Sequence, residues 1–562
     1  MRDGVLLTRD GIQAASLKDL LLLMLAAIAI FAPGISSLPP VDRDEPRYAV
    51  ATTQMLQSHD FIDIHYQETP RYLQPAGIYW LQSIPTALFS TPEHREIWTY
   101  RIPSLLGALI AVLVTAWMAS RLFGRQTGLA AGIVLASCMS LGFEARIGKT
   151  DAALLASVVV AQFALMHAYL GQAVSRRLAA AFWVALGAGV MLKGPIIVLV
   201  VASTTLALVL WDRRTAWLKS LRPIWGAPLA LLIAAPWYIA IGMISAGQFF
   251  KIAVGHNLMG KVAVGQQAHG APFGYHLLAF PLTFWPASLL VVLAAPLVWR
   301  QRREPAIRFL LCWLVPSWIV FEAVKTKLPH YILPTFPAIA CLAAIALFSP
   351  RAAVRPWTRG LFFVFLALWI VLSGALSVLA PVALWVYQAR LDPLAILLSG
   401  CSLISVAALL VCVWRRKPEL TLAAVACASF FTAANVYATA LPRLDSLWIS
   451  PRIVGMAKAL KPCPQSLLVS TPDHEPSLVF LNGPSDTYLA GSPRAAADQM
   501  AKAGSCGLAV VGDRQQPAFL ARAGELHMQM HPVGQMQGRD YSDNKMLKLT
   551  FYTASPAPSD AR

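Results

Sequence analysis

Short motifs that pair acidic with basic residues recur along this chain, close to the ends of long apolar stretches. The first is VDRDEPRY, residues 41–48, just after the first apolar stretch. Asp44 before Glu-Pro is typical of a helix N-cap, with an acidic first turn and a proline near the first helical position. Such an aspartate also holds its carboxylate in a fixed place, and Arg47 three residues later shares its face of the helix. Asp44 is therefore a candidate for a structural cap or for a base that takes a proton from an acceptor hydroxyl.

A second acidic candidate lies in RIGKTD, residues 146–151. Thr150 or Asp151 suits the N-cap of the apolar helix that follows, and Arg146 and Lys149 place cations beside the carboxylate. Lys193, in Lys-Gly-Pro, interrupts an apolar run between two helices. A charge there is costly unless it faces a cavity or a partner, so we interpret Lys193 as functional rather than as part of a simple turn.

Further cations and a tyrosine follow in later loops, again near the ends of apolar stretches. They are Lys251, Lys261, Lys325, Lys327 and Tyr331. Each of them alone is typical of a snorkelling anchor or of an interfacial aromatic residue. Together with the cations of residues 43–47, 146–149 and 193, they predict a cluster that binds a lipid phosphate and stabilises its charge when it leaves.

The elements that must position these residues are membrane helices. Of the 562 residues, 57% are apolar and only 13% are charged, against about 25% charged residues in a soluble domain. This composition excludes a disordered or collagen-like chain. The formal charge of +18 falls mostly in short clusters between apolar stretches, which is typical of cytoplasmic loops and not of nucleic-acid binding. The composition predicts an α-helical polytopic membrane protein.

Thirteen apolar stretches are candidates for membrane helices. They are 18–38, 102–123, 127–143, 151–170, 178–192, 195–211, 224–245, 276–299, 306–323, 331–348, 359–386, 394–414 and 419–440. With the N-terminus in the cytoplasm, the inward loops hold most of the clustered arginines and lysines, as the positive-inside rule requires. The acidic and basic motifs, and everything after about residue 440, then lie outside.

The chain divides into a membrane part, 1–440, and a hydrophilic tail, 441–562. The first outward loop, 39–101, is predicted to contain a short helix at 45–58 and an aromatic segment at 75–90 that lies on the membrane surface. The tail is predicted to be a small α/β domain, with strands at Ser466–Ser470, Leu478–Leu481, Leu508–Val511 and Lys545–Tyr552 and helices at Ile453–Leu460 and Ala495–Ala503. An outward tail also allows a disulfide between Cys463 and Cys506.

As an ordered set, Asp-Glu-Pro-Arg-Tyr, Arg-x-Gly-Lys-Thr-Asp, Lys-Gly-Pro and Lys-x-x-x-Tyr-x-Leu-Pro resemble the motifs of the GT-C membrane glycosyltransferases. Within them, the chain is most similar to the bacterial lipid A aminoarabinose transferase group and its protein mannosyltransferase-like relatives. The resemblance implies a GT-C fold of about thirteen helices with a periplasmic α/β domain. It also implies transfer of a sugar, such as 4-amino-4-deoxy-L-arabinose, from undecaprenyl phosphate with inversion. The acceptor would be lipid A, lipopolysaccharide or another envelope glycolipid, at the periplasmic face of the bacterial inner membrane.

The resemblance also assigns roles to residues through the matching motifs. Asp44 corresponds to the essential acid, with Arg47 orienting it, and Asp151 to a second acidic residue near the acceptor or donor. The positions that match residues holding the carrier phosphate are Lys193, Lys261 and Tyr331, and His256 matches a histidine of the same outer loop.

One segment departs from the family pattern. Relatives of the lipid A enzyme usually have Glu-Lys-Pro-Pro in the first loop, where this chain has Leu73-Gln74-Pro75-Ala76. Gln74 thus replaces a carrier-binding lysine, and Leu73 replaces a glutamate that could bind a metal together with His256. A divalent metal is a hypothesis that depends on His256 and His269 alone, and no other cofactor is expected.

Two other functions stay open from the sequence. A transporter or flippase of lipid-linked sugars would show paired repeats and ionisable residues near the bilayer midplane, whereas here no repeat is visible and the charged motifs gather at one face. A ligase or polymerase of surface polysaccharide would differ only in its acceptor. The expected partners are a polyprenyl phosphate sugar donor, an envelope acceptor and membrane lipid, and not nucleic acid.

Overall fold

Long apolar helices make up most of the chain. The structure is a computed structural model that describes residues 14–91, 94–263, 270–349, 356–471, 475–540 and 545–556. Within these ranges, eight helices are long and apolar enough to cross a membrane, or nine if one bent pair counts as a single span. The chain is therefore a multi-span membrane protein.

The helices of the membrane part follow one another with short connections. They are α1 (Leu17–Phe31), α2 (Glu45–Ser58), α3 (Gly77–Phe89), α4 (Ile97–Phe123), α5 (Arg125–Ala136), α6 (Met139–Glu144), α7 (Asp151–Tyr169), α8 (Arg176–Lys193), α9 (Ile196–Asp212), α10 (Pro223–Ile244), α11 (Gln248–Phe250), α12 (Gly260–Ala263), α13 (Tyr275–Thr283), α14 (Ser288–Arg300), α15 (Pro305–Ala323), α16 (Phe336–Phe348), α17 (Pro356–Gln388), α18 (Pro393–Trp414), α19 (Pro418–Ala433) and α20 (Leu441–Arg443). Ala216–Leu221 and Pro329–Thr335 form 3₁₀-helices, and Lys251–Met259 and Ala434–Ala440 are π-helical.

All thirteen predicted apolar stretches coincide with helical structure, but thirteen spans are not confirmed. α1 has only 15 residues. The stretch predicted at 127–143 is divided into α5 and α6, and the stretch at 276–299 bends by 118° between α13 and α14. Pro286 lies within this break, and a proline offers no backbone N–H to continue a helix. Hydropathy alone does not register such breaks.

Close packing in the centre of the bundle depends on a small residue between α4 and α7. A Cβ added at Gly107 would lie 2.6 Å from the carbonyl oxygen of Ala152, which is closer than any side chain tolerates. The glycine therefore lets the two backbones approach, as small residues do in membrane bundles. This contact brings the start of α7, where Asp151 lies, against α4.

The first loop contains the two predicted helices, α2 and α3, and between them a short antiparallel hairpin, β1 (His65–Tyr66) and β2 (Thr69–Pro70). α3 buries Tyr79 and Gln82 and exposes an apolar face. The exposed residues are Leu81, Ile84, Leu88 and Phe89. An amphipathic helix with this pattern is typical of a segment that lies in a membrane interface.

The tail folds around one five-stranded mixed sheet. Its strands are β3 (Leu467–Ser470), β4 (Thr487–Leu489), β5 (Gly507–Gly512), β6 (Met528–Asp540) and β7 (Lys545–Pro556), in the order β4-β3-β5-β7-β6. β3 pairs parallel with β4 and β5, whereas β7 pairs antiparallel with β5 and β6. The helices are α21 (Ile449–Leu460), α22 (Ser477–Asn482), α23 (Pro493–Ala503) and α24 (Gln516–Glu525).

Three details of the tail differ from the sequence prediction. Leu478–Leu481 was predicted to be a strand, but it lies in α22, which starts directly after Pro476 and buries Leu478, Val479 and Phe480. The prediction is wrong because a short apolar run has no distinguishing period, and the proline favours a helix start. β4 and β6 were not predicted. β6 is an edge strand that contains Pro532 and several polar residues, which edge strands tolerate.

Cys463 and Cys506 form a disulfide with a Cα–Cα distance of 5.5 Å. It connects the segment before β3 to the segment before β5. β3 and β5 are neighbouring parallel strands of the sheet. The disulfide therefore joins two segments that lead into strands already paired by backbone hydrogen bonds.

Candidate active site

Asp44 stands at the entrance to α2 with its carboxylate exposed. It occupies the N-cap position, but its side chain makes no capping hydrogen bond, because its backbone is already helical (φ −88°, ψ −48°) rather than extended. Its carbonyl oxygen accepts the Tyr48 N–H at 3.2 Å. Of the two alternatives for Asp44, a side-chain cap is therefore not formed, and the exposed carboxylate lies within electrostatic reach of Arg71 and Lys261.

The next residue, Glu45, anchors this end of α2. Arg101 of α4 donates from Nε to Glu45 Oε1 at 2.7 Å and from Nη2 to Oε2 at 2.8 Å, with both side chains fully buried. The same guanidinium donates to the carbonyl oxygens of Ile35, Leu38 and Pro39. A bidentate pair of this kind fixes orientation as well as distance, so the backbone on both sides of Asp44 is held in place.

Glu45 also joins the first motif to the second. Its Oε1 accepts the backbone N–H of Gly148 at 2.8 Å. Gln82 Nε2 donates to the Gly148 carbonyl at 3.1 Å, and Ser104 Oγ donates to the Lys149 carbonyl at 3.0 Å. The turn at 146–150 is thus hydrogen-bonded to α2, α3 and α4. Two motifs about a hundred residues apart in sequence are held side by side.

Asp151 forms an ion pair with Lys193 at the start of α7. Lys193 Nζ lies 2.5 Å from Asp151 Oδ1 and 5.5 Å from the centre of the Tyr331 ring. Neither Thr150 nor Asp151 caps α7 with its side chain. The predicted association of Asp151, Lys193 and Tyr331 is present in the structure, and it lies beside the break between α8 and α9.

Two further residues complete this cluster: Glu144, which the sequence analysis did not assign to the site, and His330, which the sequence places beside Tyr331 as an interfacial residue or a phosphate contact. Glu144 Oε1 lies 3.3 Å from Lys149 Nζ and 3.4 Å from His330 Nδ1. His330 Nε2 lies 3.7 Å from Asp151 Oδ1, so His330 stands between two carboxylates. Glu144 is 1% exposed. A glutamate inside the apolar run 139–145 was the available signal, since such residues are costly in a membrane.

A cavity of about 560 Å³ opens next to this cluster. Its polar lining comprises Gln74, Asp151, Lys193, Asn257, Lys261 and Tyr331. The rest of the wall is mostly apolar and comes largely from α8, α9, α10, α11, α15 and the π-helix at Lys251–Met259. It includes Val190, Ile196, Leu199, Phe249, Phe250, Val320 and Phe321. The cavity thus has a cationic end and an apolar length, the combination that a lipid with an anionic head requires.

Lys261 contributes the second cation of the cavity. Burial lowers the pKa of its ammonium group, and the charge of Lys193 lowers it further, while Asp44 and Asp151 act in the opposite direction. Its backbone carbonyl accepts the N–H of Thr326 at 3.0 Å, which ties the short helix α12 to the segment before Tyr331. Lys193 is paired with Asp151, so the additional charge of Lys261 is what makes this part of the cavity favourable for a further anion.

The first loop places a buried arginine beside Asp44. Arg71 Nε donates to the Tyr79 hydroxyl at 2.8 Å, and its guanidinium lies 4.8 Å from the centre of the Tyr48 ring. The Tyr48 hydroxyl donates to Gln74 Oε1. Burial raises the pKa of Tyr48, with the charge of Asp44 adding to the effect, so Tyr48 keeps its proton. Arg71 was missed because nothing in RYLQ, residues 71–74, distinguishes it from a surface arginine.

Arg146 does not reach the cavity. It is 1% exposed, and its guanidinium donates to the carbonyl oxygens of Ile30, Pro33 and Gly142 and lies 4.7 Å from the centre of the Tyr437 ring. These contacts hold the end of α1 against α6 and the π-helix of the last span. The structure thus separates Arg146 from the predicted phosphate-binding cations.

Three other residues predicted for the site are Lys327, Lys325 and Arg47. Lys327 is buried and donates to the Val324 carbonyl at 2.6 Å, whereas Lys325 is exposed. Arg47 lies close enough to Asp42 and Tyr66 for its charge to lower the pKa of both groups. None of these three lines the cavity.

The residues present do not form a metal site in the described part of the chain. His256 is exposed on the π-helix at Lys251–Met259, and His269 lies outside the described residues. Within the described ranges, no three His, Cys, Asp or Glu side chains are grouped as metal ligands. Leu73 and Gln74, at the positions of the family's glutamate and lysine, supply no carboxylate.

The fold has counterparts among known proteins. A family model described as dolichyl-phosphate-mannose-protein mannosyltransferase matches residues 74–239. The crystal structure of ArnT from Cupriavidus metallidurans bound to undecaprenyl phosphate superposes with a TM-score of 0.73 at 19% identity, covering 95% of this chain and 98% of that one. The archaeal oligosaccharyltransferase AglB from Archaeoglobus fulgidus gives 0.53 at 14% identity, covering 92% and 69%. The fold is that of the GT-C membrane glycosyltransferases, which confirms the resemblance seen in the motifs.

Within that class, the similar sequences carry one name. The undecaprenyl phosphate-alpha-4-amino-4-deoxy-L-arabinose arabinosyl transferase of Erwinia tasmaniensis is 29% identical over 307 residues, 54% of each chain. Its counterpart in Pseudomonas aeruginosa is 27% identical over 317 residues, 56% of this chain and 55% of the relative. The matched region thus spans about half the length of these relatives.

Proposed function

We propose that this protein transfers a sugar from a polyprenyl phosphate carrier to an envelope acceptor, with inversion at the anomeric carbon. The observation on which this proposal depends is the cavity of about 560 Å³, whose cationic end holds Lys193 and Lys261 and whose walls are apolar. Asp44 lies close enough to this end for its charge to act on Lys261 and on Arg71. Asp44 does not itself line the cavity, but its carboxylate lies within electrostatic reach of the cationic end.

The division of the cavity into two parts matches the two parts of such a carrier. The ammonium groups of Lys193 and Lys261 neutralise the phosphate, and the Tyr331 hydroxyl offers one more donor. The aliphatic and aromatic walls receive the first isoprene units by van der Waals packing, since these units come from an equally apolar bilayer and not from water. A soluble sugar nucleotide would leave the apolar length empty.

The chemistry is a single displacement. The acceptor oxygen attacks the anomeric carbon, a new glycosidic bond forms, and the bond from that carbon to the phosphate oxygen breaks. The electron pair stays on the leaving phosphate, whose growing charge Lys193 and Lys261 stabilise. If the acceptor is a hydroxyl, Asp44 takes its proton. If the acceptor is an ionised phosphate, Asp44 positions the sugar and accepts no proton.

The names of the similar sequences support a more specific version. We propose undecaprenyl phosphate as the carrier, 4-amino-4-deoxy-L-arabinose as one candidate sugar, and lipid A or another envelope glycolipid as the acceptor. The excess of arginine and lysine in the alternate loops supports a site that faces the periplasm from the bacterial inner membrane. Gln74, in place of the family's lysine, is the reason to test more than one sugar.

The test is transfer by the purified full chain in lipid nanodiscs, with undecaprenyl-phosphate-linked sugars as donors and a lipid A extract as acceptor, read by mass spectrometry. Asp44→Asn is expected to lower the rate at least about a hundredfold, the usual scale for loss of a positioned acid–base group. Glu68→Gln, at an exposed turn of the same loop, is the matched control and is expected to stay active. An active Asp44→Asn variant would remove the assignment, and movement of the carrier across the bilayer without transfer would favour a flippase.

A further inference from the structure

The tail contacts the first loop two residues before Asp44. The backbone N–H of Ser477, the first residue of α22, donates to Asp42 Oδ1 at 2.8 Å, and the Ser477 hydroxyl donates to Asp42 Oδ2. Ser450 Oγ of α21 lies 2.7 Å from Ser477 Oγ. Ser450 and Ser477 are 2% and 3% exposed. Both carboxylate oxygens of Asp42 are thus held by one residue of the tail.

An apolar contact reinforces this pairing. Val479 and Phe480 of α22 pack in one buried cluster with Ala49 and Val50 of α2. The Phe480 ring meets the Tyr100 ring edge-on, with 5.5 Å between centres. All five side chains are buried. α22 therefore rests on the helix that begins directly after Asp44.

Two further hydrogen bonds fasten the tail to the same loop. Arg95 Nε donates to the carbonyl oxygen of Phe480 at 2.6 Å. Gln67 Nε2 donates to the carbonyl oxygen of Thr487 in β4 at 2.6 Å. The contacts reach both ends of the loop, so α22 and the edge of the sheet are fixed to it as one body.

We propose that the tail positions Asp44 and that Ser477 is the positioning residue through which it acts. On the membrane side, Glu45 is tied to Arg101; on the tail side, Asp42 is tied to Ser477, and Asp44 lies between these two anchors with no capping bond of its own. The tail is in this respect a part of the active site and not an appended module. The inference rests on the proposed function, because it assumes that Asp44 acts on the substrate.

Two measurements on the full chain in nanodiscs test the proposal. In hydrogen exchange, Ser477→Ala is expected to speed the exchange of amides in the peptide covering residues 41–50 at least about tenfold, since it removes one of the two donors to Asp42. In transfer assays with an undecaprenyl-phosphate-linked sugar, the same variant is expected to lower kcat ten- to a hundredfold, the scale known for small displacements of catalytic groups. KM for the donor is expected to change less than twofold, because Ser477 is not among the cavity residues.

Two further variants keep the result interpretable. Ser477→Thr keeps the hydroxyl and is expected to restore kcat, whereas Ser485→Ala, at an exposed serine of the same domain, is expected to match the wild type in both measurements. Wild-type exchange at 41–50 in Ser477→Ala would overturn the proposal, and so would an equal loss in kcat and in donor affinity, which indicates general damage. Hydrogen exchange tests the coupling between Ser477 and residues 41–50 even if no transfer is detected. Failure of this proposal is therefore distinguishable from failure of the proposed function.

Discussion

The buried ion pair between Glu45 and Arg101 allows a quantitative prediction of how much one contact of the candidate site contributes to the stability of the fold. Arg101 uses its guanidinium for five hydrogen bonds, two to Glu45 and three to the carbonyl oxygens of Ile35, Leu38 and Pro39. Arg101→Met keeps the bulk of the side chain and removes all five. Glu45 then keeps only the N–H groups of Val41 and Gly148 as donors. Loss of one partner from a buried ion pair costs about 3–5 kcal/mol, and we expect this variant to lose that much stability.

The chain supplies a matched control for this measurement. Arg125 also makes a two-bond pair with a carboxylate, Asp19, at 2.7 and 2.5 Å, but its side chain is 51% exposed. Because solvent screens the Arg125 side of this pair, Arg125→Met is expected to cost less stability than Arg101→Met. Unfolding in mixed micelles by sodium dodecyl sulfate, followed through tryptophan fluorescence, compares the two variants. Equal losses, or a loss below 1 kcal/mol for Arg101→Met, would refute the reasoning, because burial would then not decide the strength of the pair.

Two other changes test the cavity and the tail contact. Lys261→Met is expected to weaken binding of undecaprenyl phosphate about tenfold, the lower part of the range for a hydrogen bond to a charged group. Lys251 was predicted to join the same cluster, but it is exposed and does not line the cavity, so Lys251→Met is expected to leave the affinity unchanged. Equal affinities for the two variants in a binding titration would contradict the assignment. Burial raises the pKa of Asp42 to about 7 in the folded chain, against the opposing effects of Ser477 and Arg47 and with Glu45 adding to it. The folded form therefore holds this proton at a higher pH than the unfolded form, and the stability from this group falls as pH rises from about 4 to about 7. Asp42→Asn is expected to remove that part of the dependence in melting curves between pH 5 and 8, and identical pH profiles would contradict it.

The sequence predicted which residues belong to the candidate site better than it predicted the hydrogen bonds and ion pairs that hold them. Asp44, Asp151, Lys193 and Tyr331 stood out because each is polar at the edge of an apolar stretch, where charge is costly, and the structure brings Asp151, Lys193 and Tyr331 together. Arg146 met the same criterion, yet its guanidinium is used on backbone carbonyls. Sequence alone does not distinguish these outcomes, because both need a buried cation near a helix end.

The residues that were missed depend on contacts between distant parts of the chain. Arg101 binds Glu45 across 56 positions, and Ser477 binds Asp42 across 435. Neither pairing follows from local spacing, since each exists only after two separate elements have packed. Two local features were also missed: the bend between α13 and α14, and the helical state of Leu478–Leu481. In both places a proline affects where a helix breaks or starts, and hydropathy does not describe that effect.

The amphipathic helix α3 has a consequence for how the enzyme meets its substrates. Its apolar face, with Leu81, Ile84 and Leu88 exposed, sinks to the depth of the lipid headgroups, while Gly77 at its start touches the backbone of Met191, two residues before Lys193. Under the proposed function, the cations that would receive a phosphate are thus tied to the level at which phosphates lie in a bilayer. We then expect a lipid-linked donor to reach them by lateral diffusion in its own leaflet, so that the search for substrate takes place in two dimensions.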